Sequence, residues 1–193
     1  MDAWVERALA KWPNVPALFG WLGLSRRGQW LIQGERISHP RIVDTIARNY
    51  GVDEHGRWFF QNGPQRGYIA LEHTPLVLRA DAQGGLLAHT GQAITAARGL
   101  VLDEQAQAVL DTSMGAGSID GADLDWVLER LEFDGDAVTD TQLAEALAAP
   151  DDSRTALMLH AFGQRLPVYR CDVHALEQRL GFVRDPQPVA SDG

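Results

Sequence analysis

An eleven-residue frame occurs twice, 28 residues apart. Gly23-Leu24 leads through Ser25-Arg26-Arg27 to Gly28-Gln29-Trp30-Leu31-Ile32-Gln33. Gly51-Val52 leads through Asp53-Glu54-His55 to Gly56-Arg57-Trp58-Phe59-Phe60-Gln61. Seven of the eleven positions agree in identity or apolar character. A glycine-bearing turn before a Trp-led apolar run is the composition of a hairpin that enters a buried strand. The frame therefore predicts tryptophan-anchored hairpins around a closed hydrophobic core.

The rest of the chain is consistent with that scaffold. Apolar spacing predicts a helix over 3–12 through Trp4, Val5, Ala8, Leu9 and Trp12, stopped by Pro13. A strand at 19–24 pairs with one at 29–33. Pro40 starts a helix whose stripe is Ile42, Val43, Ile46, Ala47 and Tyr50, with Gly51 as its left-handed cap. Strands follow at 57–61, 67–72 and 76–80. The loop 62–67 is a hairpin turn, since Asn62-Gly63 supplies a positive φ and Pro64 fixes another dihedral. Residues 99–102 and 106–110 read as a further hairpin around Asp103, or residues 103–111 as a helix. Helical patterns appear at 122–132 and 140–149, strands at 155–162 and 166–171, and a last helix at 173–180 capped by Asp172 and ended by Gly181.

These elements predict an α+β fold: antiparallel sheets built from hairpins, with helices packed on one face. The small-residue run 113–118 marks the expected boundary. It separates a β-rich region with two helices (1–113) from a helix-rich region with a hairpin (119–184). A loose polar tail occupies 185–193. With 193 residues, the chain buries enough surface to need no staples.

The formal charge of −9 is uneven. Residues 1–119 carry eleven acids and eleven bases, whereas residues 120–152 carry eleven acids against Arg130 alone. Such a segment repels phosphate backbones, which argues against nucleic acid as a partner. It is either a solvated face or a docking surface for a basic protein. The single cysteine, Cys171, excludes an internal disulfide and suits a reducing compartment. The N-terminal residues show no basic, apolar leader pattern, and no apolar run spans a membrane. The expectation is a cytoplasmic protein.

Chemistry-bearing patterns are sparse. Cys171 stands three residues before His174, which is proximity without a catalytic frame. Residues 115–119 contain a serine but lack the strand-turn-helix frame of a nucleophile elbow. The six histidines form no H-x-x-x-H pair, and no C-x-x-C is present. A metal would have to be gathered from distant residues such as His73 and His89 with His160 or Cys171. No phosphate loop occurs, and no cofactor is expected. The local feature that stands out is the hairpin tip, where Asn62, Gln65 and Arg66 are candidate binding residues on a rigid turn.

The run Gly56-Arg57-Trp58-Phe59-Phe60-Gln61-Asn62-Gly63-Pro64-Gln65-Arg66, with Tyr68-Ile69-Ala70-Leu71-Glu72 and Thr74-Pro75, resembles a family of bacterial proteins of about this length and of unknown function. The resemblance covers mainly residues 15–80. It implies a bacterial cytoplasmic protein and transfers no catalytic residue. The leading expectation is a non-enzymatic binding or interaction module. The rival is a small hydrolase-like enzyme assembled in three dimensions from Cys171, His160, His174 and Arg66. A metal-binding protein comes third.

Overall fold

A computed structural model describes residues 2–11 and 17–188, apart from the side chains of residues 4, 8 and 9. Of the expected first stripe, Val5 is described and buried. Trp12, the turn after it and residues 189–193 lie outside the described part. The chain divides into two compact units. The first takes the described residues of 1–75, 89–91 and 182–193; the second takes 76–88 and 92–181.

The first unit runs α1 (Ala3–Lys11), β1 (Leu18–Leu24), β2 (Trp30–Ile32), β3 (Glu35–Arg36), α2 (Pro40–Arg48), β4 (Tyr50–Val52), β5 (Trp58–Asn62) and β6 (Gln65–Leu71). Its six-stranded sheet has the order β3-β2-β1-β6-β5-β4. The second unit contains β7 (Leu76–Ala80), β8 (Leu86–Ala88), β9 (Ala93–Ile94), β10 (Ala97–Leu102), β11 (Ala108–Thr112), β12 (Gly115–Ile119), α3 (Leu124–Leu128), β13 (Leu131–Phe133), β14 (Asp136–Ala137), α4 (Asp140–Leu147), β15 (Ser153–Ala161), β16 (Gln164–Arg170) and α5 (Leu176–Leu180). Its ten-stranded sheet has the order β14-β13-β15-β16-β10-β11-β12-β7-β8-β9.

The repeated frame is a turn, used four times. In each copy an Asp or Ser side chain accepts amide bonds from positions i+2 and i+4. Ser25 accepts from Arg27 and Gln29, Asp53 from His55 and Arg57, Asp81 from Gln83 and Gly85, and Asp103 from Gln105 and Gln107. In each copy the i+3 residue is left-handed: Gly28, Gly56, Gly84 and Ala106. This is a type I turn closed by a bulge, the three-residue hairpin loop. The first three copies keep the 28-residue spacing. Trp30 and Trp58, which follow the first two, are 3% and 6% exposed, as the sequence predicts. They meet in a cluster with Tyr50, whose ring lies 4.9 Å from Trp30 and 4.7 Å from Trp58.

The α+β class holds, but the sheets are mixed rather than antiparallel. β1 runs parallel to β6, β10 to β16, and β12 to β7. Tight turns force antiparallel neighbours, while strands joined through a longer crossover are free to align. The expected boundary at 113–118 falls inside the β11–β12 hairpin, because Thr112 Oγ1 closes that turn on the Gly115 carbonyl and the Met114 amide. The division instead follows Pro75. The region expected to be helix-rich holds four strands of the ten-stranded sheet, β13 to β16.

Three smaller corrections share a cause, which is that tertiary pairing outweighs local spacing. Gly51 does not cap α2; it lies in β4, paired with Phe59. The predicted 122–132 helix shrinks to α3, and Leu131 leaves to pair with Leu159. Of the two readings of residues 99–111, the hairpin holds, as β10–β11, and the alternative helix over 103–111 does not form. The tail from 185 is anchored at its start, since Arg184 O accepts the Leu71 amide at 2.8 Å and Gln187 O accepts from Arg57 at 3.2 Å. The last helix ends as expected, with Gly181 left-handed and its amide on Glu177 O.

The two units share a local plan. A hairpin with a two-residue turn (Gln33-Gly34; Asp134-Gly135) leads to a helix starting at Pro40 or Asp140, then to a second hairpin. The last strand of that hairpin lies parallel to an earlier strand, β6 on β1 and β16 on β10. The match is residue for residue at the strand ends: the Glu72 amide bonds Leu24 O at 3.0 Å, and the Cys171 amide bonds Leu102 O at 3.1 Å.

Candidate functional site

In the second unit, β10, β11 and β16 present one face beside α5. Between them and the segment around 151 is a pocket of about 790 Å³, within the range of small-molecule sites. Gly99 and Val101 come from β10, Asp111 from β11, and Tyr169 from β16, with Cys171 just beyond it. Strand alternation sends Tyr169 and Cys171 to this face and Arg170 to the other. Arg170 is buried there, with Nε on Leu147 O at 2.9 Å and Nη2 on Asp172.

The walls carry both charge signs in fixed pairs. Arg98 bonds Asp111 at 2.8 Å. Arg179 pairs with Asp152, and its guanidinium stands 4.1 Å over the Tyr169 ring. Asp151 Oδ1 accepts the Asp172 and Asp152 amides at 2.6 and 2.9 Å. His174 Nδ1 lies 4.0 Å from Asp172 Oδ2. Among the described residues, Asp151, Asp172 and His174 are the group close enough to share a cation, with one ligand atom from each within 4.8 Å of the others. The chain already offsets much of that charge, because Arg170 takes Asp172 and two amides take Asp151.

Cys171 is fully covered and donates to Asp172 O at 3.6 Å. Burial, then the charges of Asp151 and Asp172, push its thiol up to about 11. Sulfur beside two carboxylates keeps its proton, the opposite of an activated nucleophile.

The first unit has a polar network of another kind. Asp53 Oδ2 receives Arg57 Nη2 and Nε at 2.8 Å and Tyr68 OH at 2.9 Å, with both charged side chains more than nine-tenths buried. Burial opposes the Asp53 charge. The Arg57 amide and guanidinium, then Tyr68 and the His55 amide, outweigh it and hold the carboxyl below its ordinary value. Every strong partner is satisfied inside the protein, so this is a structural brace.

The residues singled out in the sequence are placed as follows. Asn62 and Gln65 face each other across the Gly63-Pro64 turn. Arg66 bonds Gln61 Oε1 at 3.1 Å and lies 4.5 Å over the Phe59 ring, so its charge is engaged within its own hairpin. Cys171 and His174 line the pocket. His160 is exposed on β15, and Arg66 belongs to the other unit. His73 is buried, and His89 lies 4.8 Å from Trp30. Sequence reasoning missed Arg98, Asp111, Asp151, Tyr169 and Arg179. Their one local signal is the Asp151-Asp152 pair, which reads as part of a longer acidic run. That run is less bare than it reads, because Arg79, Arg165 and Arg179, all outside it, pair with Asp120, Glu132 and Asp152.

Among the described residues no helix is long and apolar enough to cross a membrane. No curated protein matches the chain. A crystal structure of a DUF1285 family protein from Silicibacter pomeroyi DSS-3 is similar in fold, with 16% identity, TM-score 0.54, and 92% of this chain and 99% of that one covered. A DUF1285 family protein from Shewanella baltica OS155 is a looser likeness, with 13% identity, TM-score 0.38, and 56% and 87% covered. The family expectation holds at its coarser level, a family without an assigned function. The model of one such family, DUF2944, described as "Protein of unknown function (DUF2946)", matches residues 1–187, and the chain belongs to it.

Proposed function

We propose that the chain is a non-enzymatic binding module of a bacterial cytoplasm, and that a small polar ligand seats in the pocket of the second unit. The observation that carries this reading is the wall chemistry. Two arginines and three aspartates, each already oriented by a partner, surround a cavity of ligand size. Pre-oriented charges recognise a ligand without the cost of ordering long side chains. The rival hydrolase loses support because the thiol beside His174 is held protonated and His160 is elsewhere on the sheet.

The test is a thermal-shift series with L-arginine, L-glutamate and inorganic phosphate as probes. At least one raises the unfolding midpoint of the wild type, and Arg98→Ala or Asp151→Asn removes the rise. No shift with any probe overturns the reading. So does hydrolysis of p-nitrophenyl acetate that disappears in Cys171→Ser.

A second surface supports the docking of a basic protein. Asp123, Asp125, Asp134, Asp136, Asp140 and Glu145 make no ion pair among the described residues, and most are exposed. Polylysine binding that weakens steeply between low and high salt is the expected result. Salt-independent binding argues against this surface. The hairpin tip at Asn62 and Gln65 has less support as a binding site, since its arginine is already engaged.

A further inference from the structure

The face that forms the pocket in the second unit has a counterpart in the first. Strand pairing aligns them: Gly23↔Ala70 and Gly23↔Leu31 correspond to Val101↔Tyr169 and Val101↔Val109. Gln33 corresponds to Asp111, and Glu72 to Cys171. In the second unit α5 lies along this face, with Leu176 1% exposed and Arg179 over Tyr169. In the first unit the chain turns away after β6 and enters β7 by Leu76, so no helix follows β6. The larger Val101 and Tyr169 are replaced by Gly23 and Ala70. What remains is a groove of about 320 Å³, floored by Gly23, Leu31 and Ala70 and edged by Trp21 and Glu72. Trp21 is 51% exposed, unusual for an indole beside an apolar floor.

We propose that this groove docks a short amphipathic helix of another protein, seated as α5 is seated in the second unit and carrying a basic residue. The internal precedent sets the shape. The occupant has apolar side chains four residues apart, like Leu176 and Leu180, and an arginine or lysine just before the second. Charge complementarity sets the sign. Glu72 is exposed at the groove edge, where one carboxylate oxygen accepts the Arg26 amide at 2.9 Å and, among the described residues, no ion pair engages the carboxylate. Trp21 offers a cation an aromatic face, as Tyr169 does for Arg179. The helix-in-groove mode requires such spaced anchors on one helical face. This site is separate from the pocket of the second unit and stands or falls without it.

The probe is a labelled synthetic peptide with the sequence of residues 172–183, titrated against the full chain by fluorescence anisotropy. Saturable binding is expected, tighter than about 1 mM. Trp21→Ala weakens it about tenfold, as loss of an aromatic anchor does. Glu72→Lys weakens it less, and more with the native peptide than with one carrying Arg179→Glu. Trp21 is half exposed, so its variant keeps the wild-type unfolding midpoint; should it fail to fold, Glu72→Lys gives the reading. Three results overturn the proposal: no saturable binding, binding unchanged in both variants, or a dimer of the chain that Trp21→Ala dissolves. The last would make a second copy the occupant.

Discussion

At the end of β6 stands Glu72; at the matching end of β16 stands Cys171. Both amides bond to the same carbonyl position of the parallel neighbour. Glu72 is exposed at an open apolar groove, whereas Cys171 is covered in a charged pocket. The first unit hides one ion pair: Arg57 and Asp53 are sealed in, and its open groove is hydrophobic. The second unit leaves its pairs at the rim and fills the same face with Tyr169, Arg179 and aspartates. One backbone plan therefore carries two surfaces of opposite character. The ladder fixes where a side chain stands, and the side chain decides what can bind there.

The contrast between a sealed and an open ion pair gives the largest expected effect. Asp53→Ala leaves Arg57 buried without its carboxylate and loses about 3–5 kcal/mol, measured by urea unfolding. Arg98→Ala, at an exposed pair, loses at most about 1 kcal/mol. Equal losses would erase the distinction. The pH dependence sharpens it. Asp53 is depressed in the folded state, so its contribution is present above the unfolded value of about 3.9 and is lost as pH falls through the folded value. Asp53→Asn removes that part of the acid transition.

The repeated turn separates the units at the next scale. Asp103 is fully buried while holding two amides, so Asp103→Ala costs about 1.5–3 kcal/mol. Ser25, at a more open copy, costs about 1 kcal/mol on conversion to alanine. A thermal scan of the two variants ranks them. Glycine crowding follows. A Cβ at Gly117 meets Leu78 Cγ at 2.7 Å in the sealed core of the second unit, so Gly117→Ala costs about 1–3 kcal/mol. At Gly67 the near atom is the end of the half-buried Leu22, which swings aside, and the loss stays below about 1 kcal/mol.

The smallest effect on stability, and the most direct on function, concerns Cys171. At pH 8 iodoacetamide labels the folded chain at roughly a two-hundredth of the denatured rate, because burial and two carboxylates push the thiol up to about 11. Similar rates in both states would reveal an activated sulfur and revive the hydrolase.

Much of the fold was legible where the physics is local. The Asp/Ser-x-x-Gly turns, the Gly63-Pro64 hairpin and the Gly181 stop all follow from backbone preferences a few residues long. Burial of Trp30 and Trp58 followed from the Trp-led apolar runs after each turn. The helix over 122–132 and the Gly51 cap failed because Leu131 pairs with Leu159 and Gly51 with Phe59, and pairing contributes more than helical spacing in so short a segment. The boundary at 113–118 failed for a related reason. Small residues mark flexible linkers in one context and close strand approach in another, as Gly117 against Leu78 shows.

The candidate site was legible in fragments. Cys171 and His174 were visible as neighbours, but their meaning was not, since burial and Asp151, some twenty residues away, push the Cys171 thiol up. Local residue order was enough for turns, hairpins, an acidic surplus and a thiol without a disulfide partner. Tertiary structure alone decided which strands run parallel, that Arg98, Asp111, Asp151, Tyr169 and Arg179 share one cavity, and that the matching face of the first unit is left open. Turn chemistry depends on dihedrals within a few residues, whereas a site depends on which distant strands share an edge, and that is set by the whole core at once.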